Sequence, residues 1–158
     1  MIGRLAPVLL AVSALLASVP AGAAPDPPDP CALVAKADAA KAVGSAITSV
    51  KGMTAGPSRS CSFHGTKLLE SVVVTAFRYG SAAEAHTRFI DIVKQTAKAA
   101  AQPAAKVNGV GDEAVSIMSN VYVRKGAVAL VFNIFGVRGP ALTARAVTLA
   151  KRTLTHLH

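Results

Sequence analysis

The sequence has no tryptophan, two tyrosines and five phenylalanines, so aromatic side chains make up only 4% of it. Proteins that hold single-stranded nucleic acid stack its bases on such side chains, and their scarcity argues against a nucleic-acid partner. Acidic groups are also few: 8 Asp and Glu stand against 17 Lys and Arg, a formal net charge of +9. That excess favours anionic surfaces such as phospholipid head groups, acidic glycans or acidic proteins, without distinguishing among them. Two cysteines leave room for one bridge. Beyond the amino terminus no uninterrupted apolar run approaches the roughly 18 residues of a membrane-spanning candidate.

What is present begins with an export signal. Arg4 precedes an apolar run from Leu5 to Val19, and Pro20-Ala21-Gly22-Ala23 closes it, the order of an n-region, an h-region and an A-x-A cleavage site. The run contains Pro7 and is short of the roughly 20 residues that span a bilayer. Cleavage after Ala23 is preferred to cleavage after Ala24, which would leave Pro25 directly behind the cut. It removes 23 of the 158 residues to leave 135, and takes one arginine, lowering the net charge to +8. A secreted or periplasmic protein with no transmembrane segment after cleavage is expected. In that oxidising compartment Cys31 and Cys61 are expected to form one disulfide.

Residues 24–30 hold four prolines and two aspartates and read as an exposed tether; residues 31–158 read as one domain. Leu33, Val34, Ala37, Ala40 and Val43 recur at helical spacing before Gly44, predicting a helix over 32–43. Lys51 to Ser58 has turn chemistry. Strands are expected at 59–63 and 68–79, the second rich in β-branched and aromatic residues. Ser81 and Glu84 form a capping box, opening a helix whose inner stripe is Ala85, Phe89, Ile92, Val93 and Thr96 and which closes at Gln102-Pro103. A loop over 106–111 leads to a strand at 113–118. Residues 121–124 and 127–135 form a hairpin pivoting near Lys125-Gly126, and the return strand is apolar on both faces, as a central strand would be. A last helix covers 140 to about 157, with Leu142, Ala146, Leu149, Thr153 and Leu157 inward. The layout is α+β: an antiparallel sheet of about five to six strands packed with three helices, in the order helix, strands, helix, strands, helix. Phe63 to Ala100 and Ala114 to Leu157 repeat the order strand, turn, strand, helix.

Asp29-Pro30-Cys31-Ala32-Leu33, Cys61-Ser62-Phe63, Phe77 to Ala85 and Gly109-Val110-Gly111-Asp112-Glu113-Ala114 resemble the signature of a family of uncharacterised exported bacterial proteins and lipoproteins. Its mature domain opens Pro-Cys-Ala-Leu and later carries Gly-x-Gly-Asp-Glu-Ala. The resemblance implies a PsbP-like α/β sandwich and a binding or accessory role without a known enzymatic activity. The chain departs from the lipoprotein members in lacking a lipidation cysteine next to the apolar segment.

Few constellations carry chemistry. Gly109-Val110-Gly111 has no strand before it and no helix after it, so it reads as a turn and not as a phosphate loop. Asp112 and Glu113, as strand neighbours, should point to opposite faces, leaving no carboxylate pair for acid/base work. His156 and His158 lie about 200° apart on a helix and do not chelate there. His86 is expected in solvent. His64 with Ser62 lacks a visible orienting group and oxyanion hole. No cofactor fingerprint and no metal-ligand spacing stands out. The basic residues carry more weight: Arg138, Arg145 and Arg152 recur every seven residues, with Lys151 beside the last, and could form a docking face for an anionic partner. The leading expectation is a non-catalytic exported domain that binds a ligand, glycan, protein or anionic envelope surface through this face or through an apolar crevice between helix and sheet. A small hydrolase or metal-dependent enzyme using His64, and a purely structural envelope protein, remain open.

Overall fold

The computed structural model describes residues 25–137, 139 and 141–157. The expected signal peptide at 1–23, Arg138 and His158 lie outside the described residues. Asp29 accepts a hydrogen bond from the Cys31 amide at 2.9 Å and caps α1, Pro30–Leu33, with Pro30 at the first helical position, where its missing N–H is harmless. The single helix expected over 32–43 is in fact two. Val34 and Ala35 are extended, and α2 runs Lys36–Val43 before a left-handed Gly44. The apolar period continues through the break because both pieces face one core, which is why the spacing concealed it.

The strands are β1 Ser49–Ala55, β2 Ser58–His64, β3 Ser71–Arg78, β4 Ala105–Lys106, β5 Glu113–Ile117, β6 Asn120–Lys125 and β7 Val128–Phe135, and the remaining helices are α3 Ala82–Ala100 and α4 Leu142–Leu154. All pair antiparallel in one seven-stranded sheet of order β1-β2-β3-β7-β6-β5-β4. The α+β class and antiparallel sheet hold, with seven strands and four helices in place of five to six and three. Lys51–Ser58, expected as a turn, is mostly strand: β1 is an exposed edge in which Gly52 lies opposite Cys61. A Cβ on Gly52 would touch Cys31 Sγ at 3.4 Å. Conversely, the strand expected from Leu68 starts only at Ser71, and Leu68 and Leu69 stand in a loop. The internal repeat extends to three strands and a helix in each half, meeting at the central pair β3 and β7.

Alternation along the strands sends Phe63, Val72, Val74, Leu130, Phe132 and Val123 to one face, where α1, α2 and α4 bury them. Cys31 and Cys61 are bonded there, tying α1 to β2 across 30 residues. On the other face α3 packs mainly over β5, β6 and β7, burying Phe89 against Ile117 and Tyr122. Beyond α3 that face is open over β1 and β2, and its β2 residues are correspondingly polar: Ser58, Ser60 and Ser62 stand opposite Phe77, Thr75 and Val73 on β3. Ser60 Oγ and Thr75 Oγ1 share a hydrogen bond at 3.0 Å across this open face.

Candidate functional site

Apart from the exposed edge strand β1, the sheet is covered on one face and half-covered on the other, which creates a crevice where the first turns of α3 overhang the end of β3. It encloses about 540 Å³ and is lined by the apolar Pro57, Phe77 and Ile92, by Tyr79, and by the charged Arg78, Glu84, Arg88 and Asp91 among others. The β3-to-α3 connection positions these side chains. Ser81 Oγ accepts from the Glu84 amide at 3.1 Å, and Glu84 Oε2 accepts from the Gly80 amide at 3.0 Å, a capping box displaced by one residue on its return arm. With Glu84 fixed, Arg88 and Ile92 follow one and two turns later on the same flank. Arg78 Nε is buried and has no hydrogen-bond partner, and neither Arg78 nor Arg88 enters an ion pair among the described residues. Burial pushes the Tyr79 phenol above its ordinary range, opposed by the positive charge of Arg88 and reinforced by Glu84, so Tyr79 is a neutral donor at physiological pH.

The basic residues of α4 are distributed differently. Arg152 Nη1 donates to Asp38 Oδ1 at 2.7 Å, and Arg145 Nη1 reaches the Ala42 carbonyl at 3.5 Å. Both therefore lie across the α2–α4 seam, at a cavity of about 210 Å³ that they line together with Asp38 and Leu149. Lys151 is exposed on another flank, beside Lys125 and the 109–112 turn. Lys125 Nζ is itself engaged, donating to the carbonyls of Leu154 and Leu157 at the end of α4. The structure thus joins Arg145 and Arg152 at one cavity and sets Lys151 apart.

His64 is exposed at the end of β2. Among the described residues no hydrogen bond reaches its ring, and the nearby Glu70 carboxylate accepts instead from Ser45 at 2.7 Å and Lys67 at 3.3 Å. No three of His, Cys, Asp or Glu among the described residues stand together as metal ligands, and no helix there is long and apolar enough to cross a membrane.

One polar cluster escaped the sequence reading. Asp112 and Glu113 both hold Arg124: Nη1 donates to Asp112 Oδ2 at 3.0 Å and Nη2 to Glu113 Oε1 at 2.8 Å. The expected divergence fails because Asp112 belongs to the turn before β5, where strand alternation does not apply. His86 is exposed to solvent, as expected, and in addition meets Glu113 Oε1 through Nδ1 at 2.5 Å, tying α3 to β5. Burial raises the Glu113 carboxyl, but hydrogen bonds from Arg124 and His86 outweigh it and hold the group below its ordinary range. The pairing of Glu113 with Arg124 was within reach of the sequence, since a two-residue turn at 118–119 sets that register. The turn at Gly109–Gly111 is as expected, with both glycines at positive φ. No protein-family model matches the chain, and no curated protein matches it.

Proposed function

We propose that the protein is an exported, non-catalytic binding domain of the bacterial envelope, akin to the exported proteins whose Pro-Cys-Ala-Leu opening it resembles, and that it takes an anionic amphiphile in the crevice beside α3. The observation that carries this reading is Arg88, which enters no ion pair among the described residues and lines one crevice with Phe77, Tyr79 and Ile92, a recess to which Glu84 and Asp91 also contribute. A carboxylate or phosphate oxygen at the mouth of the crevice would give this guanidinium a charge-assisted hydrogen bond. Phe77, Ile92 and Pro57 then contact the apolar body of the ligand, Tyr79 supplies a neutral donor, and Arg88 adds positive charge at the mouth. Binding is assigned to this crevice in preference to the last helix because Arg145 and Arg152 are occupied in holding α2.

The test is thermal stabilisation by a medium-chain fatty acid against the matching alcohol, since a ligand that binds only the folded state raises the melting temperature. The acid is expected to raise it and the alcohol to leave it unchanged, and Arg88→Glu, on an exposed position, should abolish the rise while folding normally. Equal shifts with acid and alcohol, or an undiminished shift in the variant, would remove the crevice reading.

A further inference from the structure

Of the six large apolar side chains that stand exposed among the described residues, Val50 and Met53 lie on the edge strand β1 and the other four gather together. Leu68 is 92% exposed, Leu69 76%, Met118 68% and Phe135 49%, and the topology brings all four to one end of the sheet. Ser71 opens β3 opposite Phe135, which closes β7, so the 65–70 loop lies directly beside Phe135. Met118 begins the two-residue turn between β5 and β6, one strand further across. Thr143, in the first turn of α4, donates to the Met118 carbonyl at 3.4 Å.

These side chains are held outward by ordered backbone. The Gly65 amide donates to the Glu70 carbonyl at 2.8 Å, and the Glu70 amide to the Lys67 carbonyl at 3.1 Å. A Cβ on Gly136 would fall 2.5 Å from the Leu69 carbonyl oxygen, so the loop is seated on Gly136. Leu69 and Met118 adopt φ of +73° and +56°, a conformation unfavourable for bulky side chains that persists where the surroundings enforce it.

Charge is segregated along the same axis. Glu70 is the one carboxylate at this end among the described residues, and it is buried and bonded to Ser45 and Lys67. Glu84, Asp112 and Glu113 sit at the opposite end, at the start of α3 and of β5. Lys67 and Lys98, the latter in the last turn of α3, are exposed near the apolar tip. An apolar cluster of this kind, rimmed by cations and cleared of exposed carboxylates, matches the interface of an anionic bilayer.

We propose that Leu68, Leu69, Met118 and Phe135 form a tip that inserts shallowly into an anionic phospholipid surface, with Lys67 and Lys98 at the head groups. The tip lies at the opposite end of the sheet from the crevice, and the proposal stands independently of the ligand assigned there. It places the protein end-on against a membrane without requiring a lipid anchor.

The experiment is co-sedimentation of the naturally exported protein with phosphatidylcholine vesicles, with and without about one-third phosphatidylglycerol, beside Leu68→Asn/Leu69→Asn. Asparagine tolerates positive φ better than leucine, so the double variant should melt no lower than the parent, and loss of binding then cannot come from unfolding. Both proteins share one amino terminus, so their difference reports the loop alone. Binding is expected only with phosphatidylglycerol and should fall at least about tenfold in the variant, the scale set by withdrawing two leucines from an apolar phase. The proposal is overturned if the parent ignores anionic vesicles or the variant binds equally. It is also overturned if the parent forms dimers that the variant does not, which would make the tip a contact between copies.

Discussion

Gly136 shows how one residue without a side chain can set the position of a loop. Its φ of +72° and the 2.5 Å approach of the Leu69 carbonyl to its missing Cβ act together, so Gly136→Ala is expected to destabilise the fold by about 1–3 kcal/mol, measurable by urea unfolding. Glu113 contributes to acid sensitivity, as does Glu70, whose carboxyl the Ser45 hydrogen bond also holds low. The Glu113 carboxyl lies below the ordinary 4.5 in the folded protein, so it contributes stability above that value, and the contribution is lost as pH falls through it toward the folded-state value. Melting curves between about pH 6 and pH 3 should show a steeper loss for the parent than for Glu113→Gln. Equal slopes would mean that the Arg124 and His86 contacts add nothing to the folded state. Neither effect was visible in the sequence, because Gly136 matters through a loop some 67 residues earlier and Glu113 through His86 on another element.

Among the elements, α1 and α2 depend on long-range ties. The Cys31–Cys61 disulfide closes a loop of 30 residues, and replacing both cysteines by alanine should lower unfolding free energy by roughly 3–4 kcal/mol on the chain-entropy view. The Arg152–Asp38 pair clips α2 to α4 at the surface. Arg152→Glu should cost about 1 kcal/mol or less, and the charge swap with Asp38→Arg should recover most of it; no recovery would show that the pair does not couple. The cysteine pairing and the cap of α3 were legible because each follows from local chemistry or from counting. The strand β1 was not, because an edge strand exposed on most of its length carries no apolar alternation, and Gly52 imitates a turn. The spacing of Arg145 and Arg152 was legible, but the Asp38 and Ala42 groups they meet are supplied by another helix.

At the scale of the whole molecule, the arrangement that matters is a seven-stranded sheet that, apart from its exposed edge strand β1, is covered on one face and half-covered on the other. The sequence indicates the helix–sheet layering, since β7 is apolar on both faces and therefore central, but it does not say that α3 stops short of β1 and β2. That depends on the crossover from β3 to β5, which lays α3 over the second half of the sheet. The consequence is a crevice of mixed charge beside α3 at one end of the sheet and an apolar tip at the other; the ligand proposed above is an anionic amphiphile in that crevice. The most direct measurement is an NMR titration of the labelled protein with a medium-chain fatty acid. The amides of Phe77, Tyr79, Arg88 and Ile92 should shift together and saturably while those of α2 stay fixed; shifts confined to the Asp38–Arg152 cavity, or none in the crevice up to the solubility limit of the acid, would contradict the assignment.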